Sequence, residues 1–145
     1  MFIHLNTHSY YSFCRGVDSI EKICAAAKER GMNQIALTDT NGIYGLIWFL
    51  QIAREMNITP IIGTEIVNGD SRAILLVKDQ QGYANMCRIL TQKHLDTENC
   101  FSITHAVSRN SAGLIVLSDS IALLPLLKQR ISPENLYVEL QPGPN

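Results

Sequence analysis

Short apolar runs that each end in a cluster of polar residues are the feature that most constrains how this chain folds. Three of them occur, at residues 3–9, 36–40 and 61–65. In parallel α/β folds, neighbouring strands deliver polar side chains to a common site at their carboxyl ends. The three runs therefore predict strands of such a fold, with a functional site where those strands end.

Strand-like and helix-like segments alternate along the sequence, which predicts βαβ units and a largely parallel sheet or barrel. Asp18, with Glu21 three residues later, should cap the first helix, and Gly31 should end it. Trp48 should lie on the packing side of the second helix. The predicted strands cover residues 2–5, 34–38, 58–67, 72–78, 113–117 and 136–140, and the predicted helices cover residues 19–30, 43–56, 79–90 and 121–127.

The end of the sequence predicts an incomplete fold. Residues 141–145 contain two prolines and a glycine and follow directly on the last predicted strand. A closed barrel would need at least one more crossover at this point. We therefore expect an α/β fold in which residues 1–145 form one truncated barrel domain, whose open edge at residues 136–140 favours self-association.

Composition limits the classes of function. The chain has 145 residues, 46% of them hydrophobic and 17% charged, which is enough for one domain with a real core. The net charge of −1, without a run of Lys or Arg, argues against direct nucleic-acid binding by this chain alone. Four cysteines without a C-x-x-C pair, no signal peptide and no membrane-length apolar stretch predict a cytoplasmic protein that does not engage a membrane.

The first polar cluster holds a candidate metal site. His4, Asn6 and His8 share one face if the first strand continues through them. Two such histidines supply half of a divalent-metal site, to which Glu65 could add an oxygen ligand while Asp39 orients a histidine. The same spacing also suits histidines that are merely hydrogen-bonded at a strand end, and it does not decide between the two.

Six segments of the sequence carry a resemblance to a known family: residues 4–16, 36–45, 60–65, 75–86, 113–118 and 136–140. In their order and spacing they resemble the PHP (polymerase and histidinol phosphatase) domain family, and most closely the N-terminal PHP domains of bacterial DNA polymerase III alpha subunits. The resemblance implies a distorted (β/α)7 barrel, of which this chain lacks the C-terminal part. In active members it also implies a divalent-metal cluster that hydrolyses phosphoesters.

Several positions depart from the metal ligands that the resemblance implies. The His-x-His pair of active members falls on Asn6 and His8, so only its second histidine is kept. An acidic residue, two further histidines and a cysteine are also replaced. The substituted positions are Asn6, Arg15, Thr40, Arg72 and Ser120.

These departures leave His8 and Glu65 as the remaining metal ligands, with His4 and Asp39 nearby. Catalytic metals normally use three protein ligands or more. We therefore expect Arg15 or Arg72 to replace the charge of the metal and to pair with Glu65 or Asp39.

Two functions follow from the resemblance. The first is a non-catalytic PHP-like module in DNA replication or repair synthesis, without a cofactor, whose partners are the remainder of a polymerase alpha subunit or other replication proteins. The second is a residual phosphoesterase or pyrophosphatase that uses His8 and Glu65 with Zn, Mn or Mg. The family includes DNA-directed DNA polymerases, but their catalytic carboxylates would lie beyond this chain. The sequence leaves open whether the chain is a domain of a longer polymerase or a free remnant.

Overall fold

The computed structural model describes residues 2–140, which form two compact units that divide after Glu65. The helices are α1 (Ile20–Glu29), α2 (Leu46–Glu55), α3 (Gln80–Leu95), α4 (Ile103–Arg109) and α5 (Leu123–Lys128). The strands are β1 (Gln34–Leu37), β2 (Thr59–Asn68), β3 (Ser71–Val77), β4 (Leu114–Ser118) and β5 (Leu136–Val138), and a 3-10 turn covers Pro133–Asn135.

Helix α1 begins one residue later than its sequence signals predict. Ser19 is the N-cap, and its hydroxyl accepts from the backbone N–H of Lys22, so the predicted cap at Asp18 is wrong. Gly31, at a φ of +71°, ends the helix as predicted, because glycine tolerates the left-handed backbone there. The buried face includes Cys24, and this burial raises the pKa of its thiol to about 11.

The predicted first strand, residues 2–5, is not formed as a regular strand. The segment still lies along β1, because the N–H groups of Ala36 and Thr38 donate to the carbonyls of His4 and Thr7 at 3.0 and 2.9 Å. The N–H of Thr7, however, donates to the hydroxyl of Thr38 and not to a carbonyl. This side-chain bond interrupts the ladder, so strand alternation does not place His4, Asn6 and His8 on one face.

The first unit contains one βαβ crossover, β1–α2–β2. The two strands are parallel, with Leu37 opposite Ile62, and an isolated bridge between Thr40 and Glu65 extends the pairing beyond β1. Helix α2 starts at Leu46, three residues later than predicted. Its core-facing residues pack with those of α1 and β1; they include Leu46, Phe49, Ile52 and Ala53. The crossover therefore sets Thr40 and Glu65 side by side at the carboxyl end of the parallel pair.

Trp48 of α2 does not lie on the packing side, contrary to the prediction. Its side chain is substantially exposed, and its indole N–H donates to the carboxylate of Glu21. The polar N–H of the indole thereby finds a partner at the surface, which a fully apolar core would not offer.

The second unit contains a hairpin and an antiparallel pair. Gly69, at a φ of +58°, makes the predicted turn between β2 and β3. Strand β3 runs antiparallel to β4, whereas β4 runs parallel to β5. The prediction of a largely parallel sheet is thus wrong. Two helices, α3 and α4, connect β3 to β4, and such a connection can return the chain to either end of a sheet.

The described strands form a mixed sheet in the order β1-β2-β3-β4-β5, with β1 and β5 as its two ends. This open five-stranded sheet replaces the six strands expected from the sequence, and the described residues do not form a closed barrel. The Pro- and Gly-containing segment 141–145 lies outside the described residues. Among the helices of the described part, none has the length and apolarity needed to cross a membrane.

Candidate functional site

Asp39 anchors the candidate site of the first unit. Its carboxylate, only 2% exposed, accepts hydrogen bonds from the backbone N–H and the hydroxyl of Ser9, both at 2.7 Å, and from the hydroxyl of Ser12 at 2.6 Å. Three donors compensate the burial of this charge. Asp39 therefore fixes the loop at residues 9–12 against the end of β1.

Ser12 connects this anchor to the histidine. Its hydroxyl donates to Asp39, accepts from the backbone N–H of Thr40 at 3.0 Å and lies 3.2 Å from Nδ1 of His8. Ser9 and Ser12 are both fully buried. Sequence reasoning missed these two serines, although Ser9 ends the first polar cluster and Ser12 follows three residues later.

Glu65 is the buried charge at the centre of the site. Its carboxylate is fully buried, and its Oε2 accepts from the guanidinium of Arg15 and from the hydroxyl of Thr40, the latter at 3.2 Å. Nε2 of His8 lies 3.7 Å from the same oxygen. The predicted pairing of an arginine with Glu65 or Asp39 is thus confirmed for Arg15.

The loop before α1 delivers Arg15 to Glu65. The backbone N–H groups of Arg15 and Gly16 donate to the carbonyl of Ser12 at 3.0 and 2.9 Å, and Cys14 has a φ of +60°. A Cβ atom at Gly16 would lie 1.9 Å from the carbonyl oxygen of Ser9. Only glycine fits this close approach of two backbone segments, which holds the loop in place.

His4 and Asn6 contact other residues of the first unit. The ring of His4 packs edge-on against Phe2 at a centroid distance of 4.8 Å, and the amide oxygen of Asn6 accepts from the hydroxyl of Thr38 at 3.2 Å. Both residues line a cleft of about 370 Å³ between the N-terminal segment and α1, together with His8 and Arg15. The structure thus brings four of the predicted residues of the first unit to one cleft.

Arg72 belongs to a separate cluster of the second unit. Its guanidinium donates to Asp119 at 2.8 and 3.1 Å and also to Glu139. Sequence reasoning did not select these two carboxylates. Asp119 has the signal that identified Asp39, since it directly follows an apolar strand.

Ser120 has a local structural role in the second unit. Its hydroxyl accepts from the backbone N–H of Leu123 at the start of α5, and its own N–H donates to the hydroxyl of Ser118. Over residues 2–140, no three His, Cys, Asp or Glu side chains are grouped so that they could hold a metal ion.

Comparison with known sequences gives one family and a consistent set of relatives. The profile of the PHP domain matches residues 4–141. An error-prone DNA polymerase of Symbiobacterium thermophilum is 39% identical over 98 residues, which cover 67% of this chain and 9% of that protein. DNA polymerase III alpha subunits of Chlamydia pneumoniae and Buchnera aphidicola are 35% and 30% identical, over 97% and 96% of this chain. The chain spans only 9–14% of the length of these relatives.

Comparison with solved structures shows the same fold in another protein. A putative metal-dependent phosphoesterase from Bifidobacterium adolescentis superimposes with a TM-score of 0.57 at 15% sequence identity. The superposition covers 94% of this chain and 75% of that protein. At this identity, the likeness shows a shared fold.

Proposed function

Because this chain belongs to the PHP domain family, we propose that it is a non-catalytic PHP module of the DNA polymerase III alpha type, in which Arg15 takes the charge position of a metal ion. The observation that carries this proposal is the contact between the guanidinium of Arg15 and the fully buried carboxylate of Glu65. A guanidinium is permanently charged and matches a carboxylate in geometry, so it compensates Glu65 at any physiological pH.

The surroundings of the Glu65 carboxylate suit a guanidinium partner better than a divalent metal. Arg15 and Thr40 donate to its Oε2, and Nε2 of His8 lies 3.7 Å from the same oxygen. His8 and Glu65 would supply only two metal ligands, whereas catalytic metal sites normally use three protein ligands or more. The positive charge of Arg15 would also repel a cation at the same oxygen. The residues present therefore do not fit a catalytic metal, and no hydrolytic step is assigned to them.

The polymerase relatives support the biological setting of the proposal. Their alpha subunits are many times longer than this chain, which matches them over a small share of their length. We place the PHP module in DNA replication or repair synthesis in the cytoplasm, with the remainder of a polymerase alpha subunit or other replication proteins as its partners. In this role it neither polymerises DNA nor binds it unaided.

A residual phosphoesterase or pyrophosphatase is the second candidate. It is favoured by the 3.7 Å separation between His8 Nε2 and Glu65 Oε2, which brings two ligand types of a divalent metal together. Such an activity would need Zn, Mn or Mg, and a further ligand besides these two residues.

A hydrolysis assay separates the two candidates. The purified chain would be incubated with bis(p-nitrophenyl) phosphate or pyrophosphate in the presence of Zn²⁺, Mn²⁺ or Mg²⁺, beside matched His8→Ala and Glu65→Gln variants. The non-catalytic module predicts the same background rate for all three proteins. A metal-dependent rate that is lost in both variants would establish the phosphoesterase.

A further inference from the structure

The cleft between the N-terminal segment and α1 has a charge pattern that the proposed function does not use. Lys22 lines it from the first turn of α1, and Arg30 lines it from the C-cap position eight residues later, where its guanidinium donates to the carbonyl of Ala26 at 3.0 Å. At a rise of about 1.5 Å per residue, the backbone positions of Lys22 and Arg30 are about 12 Å apart along the helix axis. Both residues are exposed, so the cleft carries two cations that come from the two ends of α1.

The floor between these two cations is apolar. Ala26 lies midway between Lys22 and Arg30 in the sequence, and its small side chain lines the cleft. The other apolar side chains that line the cleft are Ile23, Ala27, Met32 and Ile35. A ligand that follows the cleft would therefore meet a positive charge, an apolar strip and a second positive charge in turn.

The net charge of the cleft favours an anionic ligand. Arg15 lines it but is paired with Glu65, and Asp18 is the acidic residue among the described residues of the lining. His4 and His8 add ring nitrogens at the end near Arg15. Lys22 and Arg30 against Asp18 leave a positive balance, which complements negative charge on a partner.

We propose that this cleft binds an extended acidic peptide segment of a partner protein, with two carboxylates about four residues apart and an apolar side chain between them. An extended peptide advances about 3.3 Å per residue, so about four residues bridge the distance between Lys22 and Arg30. One phosphate group would reach only one of these cations. A nucleic-acid strand would set its repeating charges over the apolar strip. The proposal does not depend on whether Glu65 ever holds a metal.

Fluorescence anisotropy with a designed peptide tests the proposal. The probe is a fluorescein-labelled nonapeptide with glutamate at positions 3 and 7, leucine at position 5 and alternating serine and glycine elsewhere. We expect saturable binding to the full chain that weakens about threefold in Lys22→Gln or Arg30→Gln and about tenfold in the double variant. Lys28→Gln is the matched control, because Lys28 is exposed on α1 but does not line the cleft.

Two altered peptides and one oligonucleotide complete the test. Replacing both glutamates by glutamine, or the leucine by serine, should each weaken binding to the wild-type chain. No saturable binding, or equal affinity of the double variant and the wild type, would overturn the proposal. It would also be overturned if oligothymidylate bound more tightly than the peptide and lost that affinity in the double variant, since the cleft would then recognise nucleic acid.

Discussion

Arg15 and Glu65 form an ion pair whose two members differ in their exposure to solvent. The carboxylate of Glu65 is fully buried, whereas the side chain of Arg15 keeps 42% of its surface exposed. Removing the cation leaves a buried charge with fewer donors, which is costly. Because Arg15 is partly solvated, the loss should be smaller than for a pair that is wholly buried.

The first prediction concerns this pair. Arg15→Met should lower the free energy of unfolding by about 2 kcal/mol, measured by urea denaturation at pH 7. Adding Glu65→Gln to Arg15→Met should recover part of the loss, because the amide no longer buries an unpaired charge. An Arg15→Met variant as stable as the wild type, with no coupling to Glu65→Gln, would contradict the assigned role of the pair.

The residue scale also shows what the sequence could and could not predict about the site. The sequence identified Asp39, Glu65 and Arg15, because each stands at a polar end of an apolar run or at a departure from a metal motif. It could not predict that the hydroxyls of Ser9 and Ser12 would donate hydrogen bonds to the carboxylate of Asp39. That contact depends on how the loop folds back, and short polar side chains have no distinctive spacing in a sequence.

Among the structural elements, the loop between the N-terminal segment and α1 is tightly constrained by its backbone. Gly16 lies so close to Ser9 that any side chain would strike a backbone carbonyl, while Gly31 has open space around the corresponding position. The two positions therefore require glycine for different reasons. Gly16 is required by packing, and Gly31 is required only by its positive φ.

The second prediction follows from this difference. Gly16→Ala should destabilise the chain by about 3 kcal/mol or more, because a backbone segment must move. Gly31→Ala is the matched control and should cost only about 1 kcal/mol, the penalty for a left-handed backbone at a helix end. Thermal unfolding of both variants is the measurement, and equal losses would show that the loop tolerates a side chain at position 16.

At the scale of elements, local signals were sufficient for some segments and insufficient for others. Apolar periodicity and turn residues predicted α1, β1, β2 and the hairpin at Gly69 closely. Strand direction in the second unit could not be predicted, because the segment between β3 and β4 holds an additional short helix, α4, without a clear sequence pattern. The N-terminal segment does not form a regular strand because the N–H of Thr7 donates to the hydroxyl of Thr38, whereas a strand ladder would need a backbone carbonyl as the acceptor.

For the molecule as a whole, β5 is the strand through which we expect the chain to meet other chains. It pairs with β4 on one side and is the last strand in the order of the described sheet. Its side chains Tyr137 and Val138 are more than half exposed. An apolar strand at a sheet edge is a template for pairing with another chain.

The third prediction is that the chain associates with itself through β5. Light scattering should show an apparent mass that rises with concentration, and Val138→Lys should suppress the rise because a charged lysine opposes edge pairing. Ile121→Lys is the control, since Ile121 is equally apolar and 88% exposed but lies outside the strands. A monomer at every concentration would contradict the prediction.

The central claim is that Arg15 stands in for a metal ion beside Glu65, and metal content tests it most directly. The chain would be purified without chelators and without a metal-affinity tag, and analysed for zinc, manganese and iron per polypeptide. The Arg15–Glu65 contact predicts well below one metal ion per chain for each element. One or more tightly held ions per chain, lost on His8→Ala, would contradict the claim.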